Sequence, residues 1–313
     1  MRGNLPVQPI FPLSDRYYTV IGSLDPDQND LEQRILEETR AHGPTPEAIR
    51  LFQDLILSYS RAHGRNLPWR RTTDPYRILV SQIMLQQTQV ERVSTRYPEF
   101  IERFPDFESL ARAPRSEVLL AWQGMGYNRR AIALQETAQR VVDEYGGELP
   151  ADVETLATLP GIGKATAAAI CAYAFNMPVA YIETNIRRIF IHFFFQDREG
   201  IRDDEILPLV EQALYCENPR EWYGALMDYG TVLKRRTANP NRRSASYSRQ
   251  SRFEGSDRQV RGKILALVLK EGTVTEKEMI LQLCEEPGRV KRILGDLERE
   301  GFVAESEGVY TCR

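Results

Sequence analysis

Nine consecutive residues, Leu159-Pro160-Gly161-Ile162-Gly163-Lys164-Ala165-Thr166-Ala167, place two glycines and a lysine at the start of an alanine-rich segment. The pattern reads as a helix, a tight reversal and a second helix. Gly161 and Gly163 supply the backbone freedom that so short a reversal needs. The second helix opens with free backbone N–H groups and a positive dipole end, which suits a phosphate, and Lys164 adds a cation there. Such a helix–hairpin–helix unit grips a nucleic-acid backbone without reading base sequence. The same residues would serve an ordinary helix–helix corner, so the surrounding elements must decide.

Those elements are helical almost throughout. Thr45-Pro46-Glu47 is a helix start, with a cap, a proline in the first turn and an acid. Apolar spacing predicts helices over Tyr76–Gln87, Gln89–Tyr97, Pro98–Arg103, Ser109–Ala113, Arg115–Trp122, Asn128–Tyr145, Asp152–Thr158, Lys164–Phe175 and Thr184–Phe195. Short Pro/Gly turns join them, so short packed helices form an all-α domain. Residues 1–45, rich in Pro, Asp and Gln, form an N-terminal extension with at most a short amphipathic helix over Asn29–Arg40.

Net charge is −3, so any contact with a polyanion must come from local patches. Lys234–Arg252 is one: seven Lys/Arg and no acid, with Tyr247 interleaved, read as an irregular segment able to neutralise phosphates. No apolar run approaches the ~20 residues of a membrane span. No signal peptide is expected, and the chain reads as cytoplasmic, or nucleoid-associated in a prokaryote. Cys171, Cys216, Cys284 and Cys312 are scattered without a C-x-x-C pair, which indicates neither a zinc site nor a disulfide framework. His42, His63 and His192 have no motif partner and read as structural.

Residues 257–313 form a second unit. Helices over Arg258–Lys270, Thr275–Cys284 and Pro287–Glu300 precede a small hairpin around Glu305–Glu307. Three helices and a β wing read as a winged helix. Its third helix sets Arg289, Lys291, Arg292 and Arg299 beside Asp296, Glu298 and Glu300, with Glu285 and Glu286 just before it, which fits a protein partner as well as DNA.

Five blocks then occur in order: Leu67-Pro68-Trp69-Arg70, Ser81-Gln82-Ile83-Met84-Leu85-Gln86-Gln87-Thr88-Gln89-Val90, Gly124-Met125-Gly126-Tyr127, the hairpin, and Ile182-Glu183-Thr184-Asn185. Over residues 46–235 the chain resembles the helix-hairpin-helix DNA glycosylases of the endonuclease III superfamily, in its MutY-type adenine glycosylase branch. The resemblance implies two helical subdomains flanking a DNA cleft. One spans about 71–183. The other is built from 46–70 and 184–256, so that the glycosylase domain is 46–256. It also implies base flipping from double-stranded DNA that holds a mismatch or an oxidised base, followed by cleavage of the N-glycosidic bond. Leaving-group departure needs a proton on the base, and the cationic sugar needs a nearby carboxylate. The resemblance puts Gln82 where the family has its glutamate acid and Glu183 where it has its carboxylate, usually an aspartate. Asn185 matches a family asparagine beside that carboxylate. Gln86, Gln87 and Tyr127 match positions that probe the helix and the base opposite the lesion. Arg70, Gly161, Gly163 and Lys164 complete the expected DNA-binding set.

Four departures from the family pattern shape the expectation. An amide has nearly the shape of a carboxylic acid but does not titrate, so Gln82 implies binding of adenine mispairs with poor cleavage. Glu183 is one methylene longer than aspartate. Ala165 lies where bifunctional relatives carry a Schiff-base lysine, which implies a monofunctional enzyme. The four spaced cysteines of the family's iron-sulfur cluster are missing after Met227-Asp228-Tyr229-Gly230, which implies no such cofactor. The family's β-rich domain for 8-oxoguanine is also replaced by the winged helix. Two alternatives stay open: a thymine or uracil glycosylase acting on G mispairs, with the Gln82 amide reading the pyrimidine edge, and a non-catalytic lesion-binding protein.

Overall fold

Caps written in the sequence start many of the helices. In the computed structural model, which describes residues 24–249 and 252–313, Asp25 and Gln28 cap each other reciprocally at the start of α1 (Pro26–His42). Thr45 caps α2 (Pro46–His63) and Asp74 caps α3 (Pro75–Leu85). There follow α4 (Val90–Arg103), α5 (Phe107–Arg112), α6 (Arg115–Ala121), α7 (Arg129–Tyr145), α8 (Val153–Leu156) and α9 (Lys164–Phe175). Then come α10 (Thr184–Phe194), α11 (Asp203–Gln212), α12 (Pro219–Arg236) and α13 (Asp257–Glu271). The chain ends with β1 (Thr273–Thr275), α14 (Glu276–Leu283), α15 (Pro287–Arg299), β2 (Val303–Ser306) and β3 (Val309–Cys312). The all-helical reading with a small C-terminal β element holds.

Two units carry these elements. The first joins the described part of Met1–Arg71 to Pro178–Tyr247, and so contains α1, α2, α10, α11 and α12. Its core is aromatic: the Phe52 ring lies 5.3 Å from each of Phe190, Phe193 and Phe194 and 5.9 Å from Trp222, all edge-on or nearly so. The apolar run Ile189–Phe195 is thus core, as its length suggests. α1 is longer than the segment expected at Asn29–Arg40, and it is integral to this core. Its buried Glu32 accepts from Tyr229 Oη at 3.1 Å and Arg236 Nη2 at 3.0 Å, with His192 Nε2 at 3.2 Å. A buried carboxylate with three partners fastens α1 to α10 and α12.

The basic stretch Lys234–Arg252 needs correction. Lys234–Arg236 is the last turn of α12, where cations meet the negative dipole end. A 3-10 turn at Pro240–Arg243 follows. Arg243 turns inward and donates to the carbonyls of Phe195, Gln196 and Ile191, closing the C-terminus of α10. Asn241 Nδ2 donates to Thr184 O at 3.0 Å, at the other end of the same helix. Arg242, Arg249 and Arg252 remain exposed. Arg243 thus directs its donors to the carbonyls of a helix end. Gln250 and Ser251 lie outside the described residues.

The second unit comprises Thr72–Met177 and Ser248–Arg313. Phe100, Trp122 and Tyr76 anchor its helical part, and the alanines of α9 let that helix pack closely. The two helices expected either side of Pro98 are one: burial of Val93, Tyr97 and Phe100 along α4 outweighs the proline break. The winged helix carries three strands rather than a bare hairpin, in the order β1-β3-β2, all antiparallel. The β2–β3 turn has positive φ at both Glu307 (52°) and Gly308 (78°), which suits the twist of a two-residue hairpin. The added strand Thr273-Val274-Thr275 is a β-branched triplet after Gly272. Glu300, just past α15, accepts from Arg261 of α13 and from Arg129 of α7, which docks the winged helix onto the helical part of its unit. No described helix is long and apolar enough to cross a membrane.

Candidate functional site

The hairpin's geometry explains its sequence. Gly161 has φ of 73°, and a Cβ there would sit 2.8 Å from the Ala133 Cβ of α7, so both conformation and close approach require glycine. Gly163 caps α9 without a side-chain bond, and a Cβ built on it would meet nothing within 4 Å. The approach to the first N–H groups of α9 is therefore open. Lys164 is exposed, with its Nζ 3.5 Å from Glu154, and surface pairing of that kind is weak. Thr137 Oγ1 donates to Pro160 O at 3.0 Å, and Gln86 Nε2 donates to Gly161 O at 3.1 Å and to Thr166 Oγ1 at 3.3 Å. Gln86 thus ties the end of α3 to the hairpin.

Gln82 stands one turn before Gln86 on α3. It is half-buried, and its amide has no hydrogen-bond partner among the described residues. Ser81 beside it is buried and bonded to Ile78 O. Gln87 follows the helix with φ of 52° and an exposed side chain. Tyr127 has φ of 49°, behind Gly124 and Gly126 at 82° and 70°. Positive φ is uncommon for a bulky residue, so both loops need an external hold.

Arg130 supplies it. Its Nη1 donates to the carbonyls of Ile83 (2.8 Å), Met84 (3.0 Å) and Gln86 (2.6 Å). Its Nη2 donates to Thr88 Oγ1 (2.9 Å) and to the carbonyls of Met125 (3.3 Å) and Gly126 (3.1 Å). The guanidinium also lies 5.4 Å from the Trp122 ring centroid and 5.5 Å from that of Tyr127. Burial pushes the group down to about 10, still far above neutrality, so it stays cationic. Nothing in the sequence marks this role beyond an arginine in the first turn of α7.

Glu183, Asn185 and Arg70 lie in the first unit. Glu183 is the cap of α10: its Oε1 accepts from the backbone N–H of Asn185 at 2.5 Å and of Ile186 at 2.8 Å. The longer acid reaches its own helix end. Burial pushes the Glu183 carboxyl up, against those two N–H donors and the charges of Arg188 and Arg187. Asn185 Oδ1 accepts from Arg188 Nη1 at 2.6 Å, and that group also donates to Gly230 O at 2.9 Å. A Cβ on Gly230 would lie 2.6 Å from Asn185 Cβ, so α12 needs a glycine opposite this asparagine.

Arg70 is a fastener in this unit. It donates to Asp228 Oδ2 at 2.7 Å, Gly224 O at 2.9 Å and Arg65 O at 3.3 Å. Asp228 is 3% exposed and also takes Arg65 Nε at 2.6 Å. Neither Asp228 nor Arg65 was singled out from sequence, though a lone aspartate within the apolar run Ala225–Tyr229 announces a buried partner. The structure thus gathers Gln82, Gln86, Gln87, Tyr127 and the hairpin in one unit, and Glu183, Asn185 and Arg70 in the other.

Known proteins resemble this chain in sequence and fold. Residues 80–210 match the family model of the HhH-GPD superfamily base excision DNA repair proteins. The adenine DNA glycosylase of Mycolicibacterium smegmatis is 36% identical over 270 residues, covering 80% of this chain and 92% of that protein. A thymine/uracil-DNA glycosylase of Methanothermobacter thermautotrophicus is 30% identical over 192 residues, covering 60% of this chain and 87% of its own. The solved structure of a thermostable thymine-DNA glycosylase superposes with a TM-score of 0.55 at 28% identity, over 60% of this chain and 88% of that one. From its ordered motifs, its fold and these relatives, the chain belongs to the MutY-type branch of the helix-hairpin-helix base-excision DNA glycosylases.

Proposed function

We propose that the chain recognises adenine mispaired with guanine or 8-oxoguanine in double-stranded DNA and is a monofunctional N-glycosylase whose proton donor is disabled. The observation that carries this reading is Gln82: a half-buried amide on α3, one turn from Gln86, with no protein partner among the described residues. An amide left unbonded beside a DNA-gripping hairpin is available to a flipped base, and it binds but does not protonate. Glu183, held by two backbone N–H groups, serves as the carboxylate that stabilises the cationic sugar or positions water. Ala165, in the first turn of α9, offers no amine for a Schiff base, which supports hydrolysis without a lyase step. Lys164 and the open N-terminus of α9 hold a backbone phosphate. In this reading no iron-sulfur cluster is present. The residues do not fit one, because Cys171 and Cys216 precede the family's cluster position, and Cys284 and Cys312 lie far beyond it in the winged helix.

The test is base release from A·8-oxoguanine, A·G, T·G and U·G duplexes by the chain and by Gln82→Glu. General-acid catalysis contributes roughly 10²–10⁴-fold, so the variant should free adenine faster by about that factor. Thymine or uracil release by the unmodified chain would support the pyrimidine enzyme, which the thymine/uracil relative keeps in view. Tight mispair binding with no release by either form would favour a lesion binder.

A further inference from the structure

Two guanidinium groups meet Tyr127. Arg130 comes from the same helical part. The other is Arg258, in the first turn of α13 and therefore in the winged helix. Arg258 Nη1 donates to Tyr127 Oη at 2.8 Å, and its guanidinium carbon lies 5.9 Å from the ring centroid. One turn further along α13, Arg261 shares Glu300 with Arg129, which is two residues past Tyr127. The 258–261 face of α13 is thus clamped to the loop and helix start that carry Tyr127.

The rest of the module points away from direct groove reading. Arg289 and Arg292 of α15 both pair with Asp257, Arg289 also pairs with Glu285, and Arg299 pairs with Asp296. The tip of the wing is acidic, with Glu305 and Glu307. Three of the four cations that would make α15 a recognition helix, Arg289, Arg292 and Arg299, already have carboxylate partners in the protein.

We propose that Arg258 is a positioning residue for mispair recognition, through which the winged helix sets the Tyr127 side chain in the orientation that probes the duplex. The proposal rests on the reading of the chain as a mispair glycosylase. Tyr127 is 39% exposed on a loop of positive φ, where an unheld ring would sample several rotamers. A ring held by a charge-assisted bond loses less freedom on binding, and the gain appears only where the ring is used.

The experiment measures the affinity of the full chain for A·8-oxoguanine, A·G and matched A·T duplexes. Variants are Arg258→Ala, Arg258→Lys, Tyr127→Phe and the double variant, with Lys277→Ala as a charge-matched control on the exposed surface of α14. Arg258→Ala should weaken mispair binding roughly tenfold, the value of one charge-assisted hydrogen bond, and change matched-duplex binding by less than about twofold. Arg258→Lys should recover part of the loss, and Lys277→Ala should change neither. Tyr127→Phe removes the acceptor, so adding Arg258→Ala to it should cost little more. In a Gln82→Glu background, Arg258→Ala should raise the half-saturating enzyme concentration and leave the saturated single-turnover rate in place. Equal loss on matched and mispaired duplexes would reduce Arg258 to a phosphate contact and overturn the proposal. Tighter mispair binding would make it a latch, which overturns it too. So would an undiminished effect of Arg258→Ala in the Tyr127→Phe background. A parent chain that binds all duplexes alike defeats the functional reading itself.

Discussion

Gln87 and Tyr127 stand on loops of positive φ with their side chains exposed, whereas Glu183, Asn185 and Arg70 are half-buried and bonded into the frame of their unit. The contrast runs through the two units. In one, a single arginine holds the backbone of two loops whose Gln87 and Tyr127 side chains stay exposed. In the other, α12 presents Gly224, Met227, Asp228 and Gly230 as a rail on which arginines and Asn185 are locked. Under the proposed function the side chains that meet the duplex are exposed on loops whose backbone Arg130 fixes, and the Tyr127 ring is steadied by Arg130 and Arg258 as well. Under the same reading the Glu183 carboxylate acts from a fixed position, and preorganised charges lose nothing to reorientation during a reaction.

The sharpest way to break this comparison is at Asp228. Replacing it with alanine leaves Arg65 and Arg70, both mostly buried, without their shared counter-charge. Removing one partner of a buried ion pair costs ~3–5 kcal/mol, so Asp228→Ala should lower the denaturation midpoint strongly. Any protein that remains folded should keep its relative preference among duplexes. A variant that is stable yet blind to mispairs would show that the rail reads DNA directly, and the contrast would collapse.

Arg130 should respond in the opposite way. Arg130→Ala removes six hydrogen bonds, most of them part-buried, whose acceptors lie in the last turn of α3 and the loops beside it, so the stability loss should be about 2 kcal/mol. Mispair affinity should fall at least tenfold in the same variant, because Gln87 and Tyr127 lose their common hold. Arg130→Lys should restore stability better than affinity, since an ammonium keeps the charge without the planar fork. Titration with denaturant and with labelled duplex separates the two effects. Loss of stability alone would place recognition elsewhere.

These partners mark where sequence reading stops. Helices showed in the spacing of apolar residues, and their starts showed in caps such as Thr45 and Thr275. The hairpin showed because Gly161 meets a local demand, positive φ in a tight reversal, while its close approach to Ala133 showed only in the fold. The order of the glutamine, tyrosine and glutamate motifs revealed the candidate site. What stayed hidden was long-range satisfaction of charge. Arg243 reads as a phosphate ligand within a basic run, yet it closes α10, because three open carbonyls come near it only in the fold. Glu32 sits in a segment with no motif, yet Tyr229, Arg236 and His192 converge on it from residues some 160 or more positions away. α12 escaped prediction for a different reason: most of Trp222–Leu233 is buried, which blurs its helical period.

The smallest effect concerns pH and separates two glutamates of the same unit. At Glu32, burial raises the carboxyl, but the His192, Arg236 and Tyr229 contacts outweigh it, and the net direction is down. Its contribution to stability is present above the unfolded value and is lost as pH falls through the lower folded value. At Glu183 burial dominates and the carboxyl is raised. Here the folded state holds the proton more tightly than the unfolded chain. Stability is therefore fullest below the unfolded value and declines as pH rises through the folded one. Glu183→Gln should accordingly melt higher than the parent at neutral pH, and the difference should vanish in acid. The same variant, made in the Gln82→Glu background, should lose adenine release. With Glu183 intact, release should fade on the acid side at a pH above the ordinary glutamate range, because only the ionised form stabilises a cationic sugar. An acid limb at the ordinary value, or a Glu183→Gln variant that melts lower at neutral pH, would show that the two N–H donors at the start of α10 outweigh burial. The carboxylate would then be held for the helix rather than for the sugar.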